Sequence, residues 1–133
     1  MTSPTFELQI ALTSRLKSDA ILSGLVGDRI YDRVPETAVF PYISYGPSDE
    51  TGADADCINA FEITFQLDCW SRAVGYQEVR KIADAVRQAL KADLSLPINA
   101  LVFFEHRQTR IFRDPDGLTS HAAVIFEAVA EQY

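Results

Sequence analysis

A chain of 133 residues has the length of one domain and enough material to enclose its own core. Its 47% hydrophobic and 23% charged content is ordinary for a folded domain, and no run approaches the ~20 apolar residues a membrane helix needs. Twelve basic against nineteen acidic side chains leave a formal charge of −7, which opposes wrapping a nucleic acid, because counterion release rewards basic surfaces.

The segment Met1 to Glu7 has neither the basic region nor the apolar run of a secretory signal, so folding in the cytoplasm is expected. Ser3 followed by Pro4 is a helix start: a hydroxyl to cap, then a residue whose missing N–H costs nothing at the first helical position. Leu8, Ala11, Leu12 and Leu16 recur at three- and four-residue spacing and predict an amphipathic helix of about four turns. Asp19 can cap a short second turn through Ile21 and Leu22, ended by Gly24 or Gly27.

Arg29-Ile30-Tyr31 and Tyr42-Ile43-Ser44-Tyr45 are short strand candidates, punctuated by Pro35, Pro41 and Gly46. Residues 46–56 carry Asp49, Glu50, Asp54 and Asp56 with no basic residue, and their composition predicts a solvated, mobile loop. The strongest strand signal is 60–70. Phe61, Ile63, Phe65, Leu67 and Cys69 alternate with Glu62, Thr64, Gln66 and Asp68, so one face is buried and the other is wet or covered by a partner.

Tyr76, Val79, Ile82, Ala83, Val86 and Leu90 mark one face of a further helix, with Arg87 and Lys91 at its negative end. Leu101 to Phe104 opens a strand that continues through Phe112, and Ala122 to Val129 returns. Between them Asp114-Pro115-Asp116-Gly117 is a tight-turn signature. The sum is an α+β domain: two main helices on one predominantly antiparallel sheet of about four to five strands.

Chemistry is sparse. Cys57 and Cys69, twelve residues apart along one extended segment, would lie ~40 Å apart and cannot bond, so both are expected as buried small hydrophobes. His106 and His121 stand in the two arms of the last hairpin, where they could face each other, but no ligand pair has zinc-site spacing. The acidic segment lacks the Gly and Glu positions of a calcium loop, and Gly24 and Gly27 fit no phosphate-binding pattern. In a regular strand Arg107 and Arg113 share one face and Arg110 takes the other, so no basic stripe forms. Catalytic residues, metal and cofactor: none is expected.

Three segments in order carry a resemblance. They are Arg29-Ile30-Tyr31-Asp32-Arg33-Val34-Pro35 with Phe40-Pro41-Tyr42-Ile43-Ser44-Tyr45-Gly46, then Leu67-Asp68-Cys69-Trp70-Ser71-Arg72 with Gly75-Tyr76, then Arg113-Asp114-Pro115-Asp116-Gly117. Together they resemble the tail terminator, or tail completion, family of long-tailed phages, from about Pro4 to about Val129. The resemblance implies a non-enzymatic ring, commonly hexameric, at the head-proximal end of a tail tube in phages, prophages or gene transfer agents. Its partners would be copies of itself, the tail tube protein and a head-completion protein. DNA would meet it only in transit, and it would pass from the host cytoplasm to the head–tail junction of the particle. The motif positions are Arg29, Tyr31, Pro35, Pro41, Tyr42, Trp70, Gly75, Asp114, Pro115, Asp116 and Gly117. Asp49, Glu50, Asp54 and Asp56 fall where such proteins vary, and they are the candidate bore-lining or assembly loop. The alternative from another class is a monomeric cytoplasmic binding module or a small enzyme with an unrecognised site.

Overall fold

The computed structural model describes residues 1–91 and 93–133. Helix α1 spans Pro4–Ser18, and the Ser3 hydroxyl accepts from the Phe6 amide at its start. Asp19 ends α1 and caps α2 (Ala20–Val26) by accepting from the Leu22 amide at 3.0 Å. Gly27, at φ +62°, terminates α2, which a side chain there would resist. The second turn expected from the sequence is thus a third helix of seven residues.

Among the described residues six strands form one sheet: β1 (Ile30–Tyr31), β2 (Tyr42–Tyr45), β3 (Asp49–Gly52), β4 (Asn59–Ser71), β5 (Ala100–Arg113) and β6 (Ser120–Gln132). The order is β1-β2-β4-β6-β5, with β3 following β2 along the same edge of β4. Among the described residues only the β1–β2 pairing is parallel. The strand count exceeds the expected four to five because of β3, which the composition of 46–56 concealed.

That segment corrects the expected loop. Asp49 pairs opposite Thr64 and Gly52 opposite Phe61, and the turn between β3 and β4 closes by reciprocal Ala55–Ile58 backbone bonds of 3.1 and 2.8 Å. The cause lies in β4. Its alternating run reaches back to Asn59, and the backbone groups on its outer edge find partners in whatever chain runs alongside. Asp56 supplies the left-handed conformation at φ +48°, and the Asp54 carboxylate accepts from the Ala60 amide at 3.1 Å.

The alternation in β4 holds as read: Ile63, Phe65, Leu67 and Cys69 are buried, with Phe61 packed partly against the core. Above them lies α3 (Gln77–Ala89), whose Val79, Ile82, Ala83 and Val86 join the same cluster as Leu8, Leu12 and Leu16 of α1. Burying these side chains supplies the main stabilisation, at about 1.5–3 kcal/mol for each large one. All three helices pack on this face. The opposite face, which carries Glu62, Thr64, Gln66 and Trp70 in β4, bears no helix among the described residues.

Three further expectations are corrected. Cys69 is buried but Cys57 is exposed, because it occupies the tip of the β3–β4 turn rather than the strand. The histidines do not face each other: His121 pairs with Phe112 and His106 with Phe126. A bulge at Arg107 also resets the alternation of β5, putting Arg107 and Arg110 on the open face and Arg113 on the helix face.

Candidate functional site

Most of the motif residues gather at one end of the open face. Tyr42 of β2 stands opposite Trp70 of β4, Trp70 opposite His121 of β6, and His121 opposite Phe112 of β5. Tyr31 of β1 extends the row, its ring centroid 5.9 Å from that of Tyr42. One aromatic side chain from each of five strands therefore forms a continuous ladder. Spacing within it is closest at Trp70 and His121, which stack at 3.9 Å and 19°. Cross-strand aromatic pairs of this kind contribute about 0.2–1 kcal/mol each and hold register.

Polar groups pin the ladder from beneath. His121 Nε2 lies 2.7 Å from Asp68 Oδ1, and its Nδ1 lies 3.8 Å from Asp114. Gln66 donates to the same Asp68 oxygen at 2.8 Å, and the Trp70 indole N–H donates to the Ser44 hydroxyl at 3.0 Å. Gly46 completes this pocket by close approach: a Cβ there would come within 2.6 Å of Asp68 Oδ2.

At the rim, the turn read as Asp114-Pro115-Asp116-Gly117 forms with Gly117 at φ +71° and its amide donating to the Asp114 carbonyl. Asp116 accepts from the Thr119 hydroxyl and from the Thr119 and Leu118 amides, and these bonds hold its carboxyl below the usual range. Arg72 reaches over from β4's end, donating to Thr119 and lying 4.4 Å over the Phe40 ring. Arg29 donates to the Pro41 carbonyl at 2.8 Å, and Ser120 to the Gly75 carbonyl at 3.3 Å. Pro35 stands apart, exposed in the turn before Ala38. Thus Arg29, Tyr31, Pro41, Tyr42, Trp70, Asp114 and Asp116 come together and Gly75 borders the group, whereas Asp49 and Glu50 lie in the edge strand β3 and Asp54 and Asp56 in the β3–β4 turn.

This arrangement fixes strands. His121 has a carboxylate to one side and the Trp70 and Phe112 rings beside it, and among the described residues no hydroxyl or thiol bonds to it. The Cys69 thiol lies on the core side of the sheet, where burial and the neighbouring Asp68 push its pKa up and keep it protonated. Among the described residues no three metal-ligating side chains converge.

A second polar cluster escaped the sequence reading. The Glu7 carboxylate, buried on α1, accepts from the Ile98 amide at 2.9 Å, the Asn99 amide at 3.0 Å and the Asn99 side-chain amide at 2.7 Å. Asn99 in turn bonds Thr2 and Tyr133, so both termini and the start of β5 are tied together. The signal available was a glutamate falling on the apolar stripe beside Leu8.

The motif residues of this domain serve the geometry of its sheet. Comparison with known proteins gives the particular family. The family model for tail completion protein gp17 matches residues 10–131, and the chain belongs to that family. A chain from a solved structure, the virion of a native gene transfer agent particle, superposes with a TM-score of 0.90 at 28% identity. The match covers 98% of this chain and 99% of that one. No curated protein matches. The coarse role is accordingly that of a structural protein of a phage-type tail. No helix among the described residues is long and apolar enough to cross a membrane.

Proposed function

We propose that this protein is a ring subunit, hexameric as the family resemblance implies, that caps the head-proximal end of a phage-like tail tube. The ring ends tube polymerisation and presents a surface to the head-completion protein, and it performs no catalysis. Assembly takes place in the host cytoplasm, after which the protein stays in the particle at the head–tail junction. The observation that carries this reading is the superposition, over nearly the whole chain, on a chain of a gene transfer agent virion.

Charge supports a passive role toward DNA. Each subunit adds a formal −7, and a surface of like sign repels passing phosphates, which favours transit over retention. Asp49 and Glu50 in edge strand β3, with Asp54 and Asp56 in the turn that follows, concentrate acidic charge in one segment. In a ring they line the bore or meet the next subunit, and the free edge of β3 favours the second.

The test is to supply purified protein to elongating tail tubes and to delete its gene from the producing strain. Tubes should stop at defined length with the protein bound at one end, and the deletion should give overlong tails and tailless heads. Unaltered tube growth, together with normal particles from the deletion strain, would overturn the proposal.

A further inference from the structure

Arginines stack on aromatic rings repeatedly at one end of the domain. Arg72 lies 4.4 Å over the Phe40 ring, Arg113 and Arg80 lie 4.9 and 5.8 Å from the Tyr76 ring, and Arg110 lies 5.7 Å from that of Phe112. All four arginines are exposed. Segments 68–80 and 110–121, which form this end, also hold four acids, so Arg and Asp/Glu are equal in number there. They are not equally available. Asp68 is bonded to His121 and Gln66, Asp114 faces His121, Glu78 accepts from the Ser71 hydroxyl, and Asp116 accepts from Thr119 and Leu118. Among the described residues Arg72 pairs only with Asp116, at 3.9 Å, and Arg80, Arg110 and Arg113 form no ion pair. Stacking holds each guanidinium by its face and leaves its edge N–H groups open to a carboxylate. Beside them Val74 is fully exposed and Leu118 68% exposed, and a cleft of about 240 Å³ lies between the two loops that carry them.

The far half of the sheet is the reverse. Strand β4 begins after the turn 53–58 and finishes at Ser71, so that turn lies ~40 Å from the arginine end. Segments 49–62, 98–105 and 127–133, which form this half, carry eight acids and no Lys or Arg. The turn itself presents Asp56, in the left-handed conformation, and exposed Ile58 on either side of Cys57. From these two ends we infer that the 53–58 turn of one subunit seats in the arginine end of a second copy of this chain, joining neighbours end to end. This rests on the reading of the protein as a ring subunit and names the contact between its copies. Both halves of the contact are on one chain: Asp56 brings a carboxylate to guanidiniums held ready for it, and Ile58 meets Val74 and Leu118. A nucleic acid fits this end less well, because phosphates offer nothing to the two apolar tips and the chain as a whole carries −7. Since the two patches differ, the contact is heterologous and closes into a ring when each step adds a fixed turn.

Cys57, exposed at the turn tip, makes the contact readable, since Cys69 is buried. Val74→Cys, at a fully exposed site, sets a second thiol at the receiving end. A short bismaleimide, applied in solution and on purified tail tubes, should link position 57 of one copy to position 74 of the next and give a ladder of oligomers. Adding Cys57→Ser to the same chain should abolish the ladder. Arg80→Glu/Arg113→Glu, checked for native circular dichroism, should weaken self-association at least ~10-fold by native mass spectrometry and on tubes. Links only between like positions, or none from a chain that still associates, overturn the contact and leave the ring. Undiminished association of the arginine variant does the same. A ladder that ends in open chains upholds the contact and removes the ring. An unmodified chain that stays monomeric both in solution and on tubes overturns both.

Discussion

Replacing Phe65 with Ala tests the central packing claim, that the odd positions of β4 point into the core. Phe65 is 3% exposed, stands opposite Phe126 and meets the Tyr45 ring edge-on at 6.3 Å. Removing the ring loses its transfer free energy and leaves a cavity bordered by both β-sheet neighbours and the α3 side chains. Together these cost about 3–5 kcal/mol. The lost edge-on contact with Tyr45 accounts for about 0.5–1.5 kcal/mol of that figure. Against a domain stability of about 5–15 kcal/mol this is a large fraction, so Phe65→Leu, at about 1–1.5 kcal/mol, is the companion that stays folded. With a urea slope of about 2 kcal/mol per molar, Phe65→Ala should lower the unfolding midpoint by about 2 M. Thr64→Ala, on the open face, should change stability by less than about 1 kcal/mol. A loss below about 1 kcal/mol for Phe65→Ala, or a larger one for Thr64→Ala, would refute the register and with it the placement of both sheet faces.

Glu7→Ala should cost about 2–4 kcal/mol in denaturant melts, because it strands two backbone amides and the Asn99 side chain; Glu7→Gln should cost less, about 1–2 kcal/mol. Burial pushes the Tyr45 phenol up from 10 to about 12, against a smaller opposing effect of its 2.6 Å bond with Thr13. The unfolded chain therefore releases this proton first. Stability from Tyr45 is complete below pH 10 and falls by about 2 kcal/mol between pH 10 and 12, a loss that Tyr45→Phe should lack when melts are compared across that range. Thiol counting should find one reactive cysteine in the native protein, Cys57, and two after unfolding, since Cys69 is buried with a raised pKa.

Legibility in the sequence followed how strongly one force dominated each segment. Where apolar periodicity decided, as in β4, α1 and α3, the reading and the structure agree, because burial of one face leaves only one register. The final hairpin was equally plain from its Asp-Pro-Asp-Gly turn. Strand β3 was hidden because Asp49, Glu50, Thr51 and Gly52 have little strand propensity of their own and bury nothing. Pairing with β4 alone holds them there. The ladder was half legible: Tyr42, Trp70 and Asp114 stood out as motif positions, but Asp68, His121 and Ser44 became partners only through cross-strand register. The Arg107 bulge was beyond reach, and it reversed the expected grouping of the three arginines.

The polar groups of this domain are largely taken up by its own fold. Among the described residues no buried side-chain nitrogen or oxygen lacks a partner. Asp68, His121 and Asp116 use their hydrogen-bonding capacity to lock strands and turns, and Glu7 with Asn99 locks the termini. Among the described residues the strand edges with open backbone capacity are those of β1, β3 and β5. Water satisfies those groups in a free subunit, and an added strand would satisfy them with the gain of a continued ladder. The ring proposed above requires a rigid subunit, since any give in the sheet would accumulate from one copy to the next.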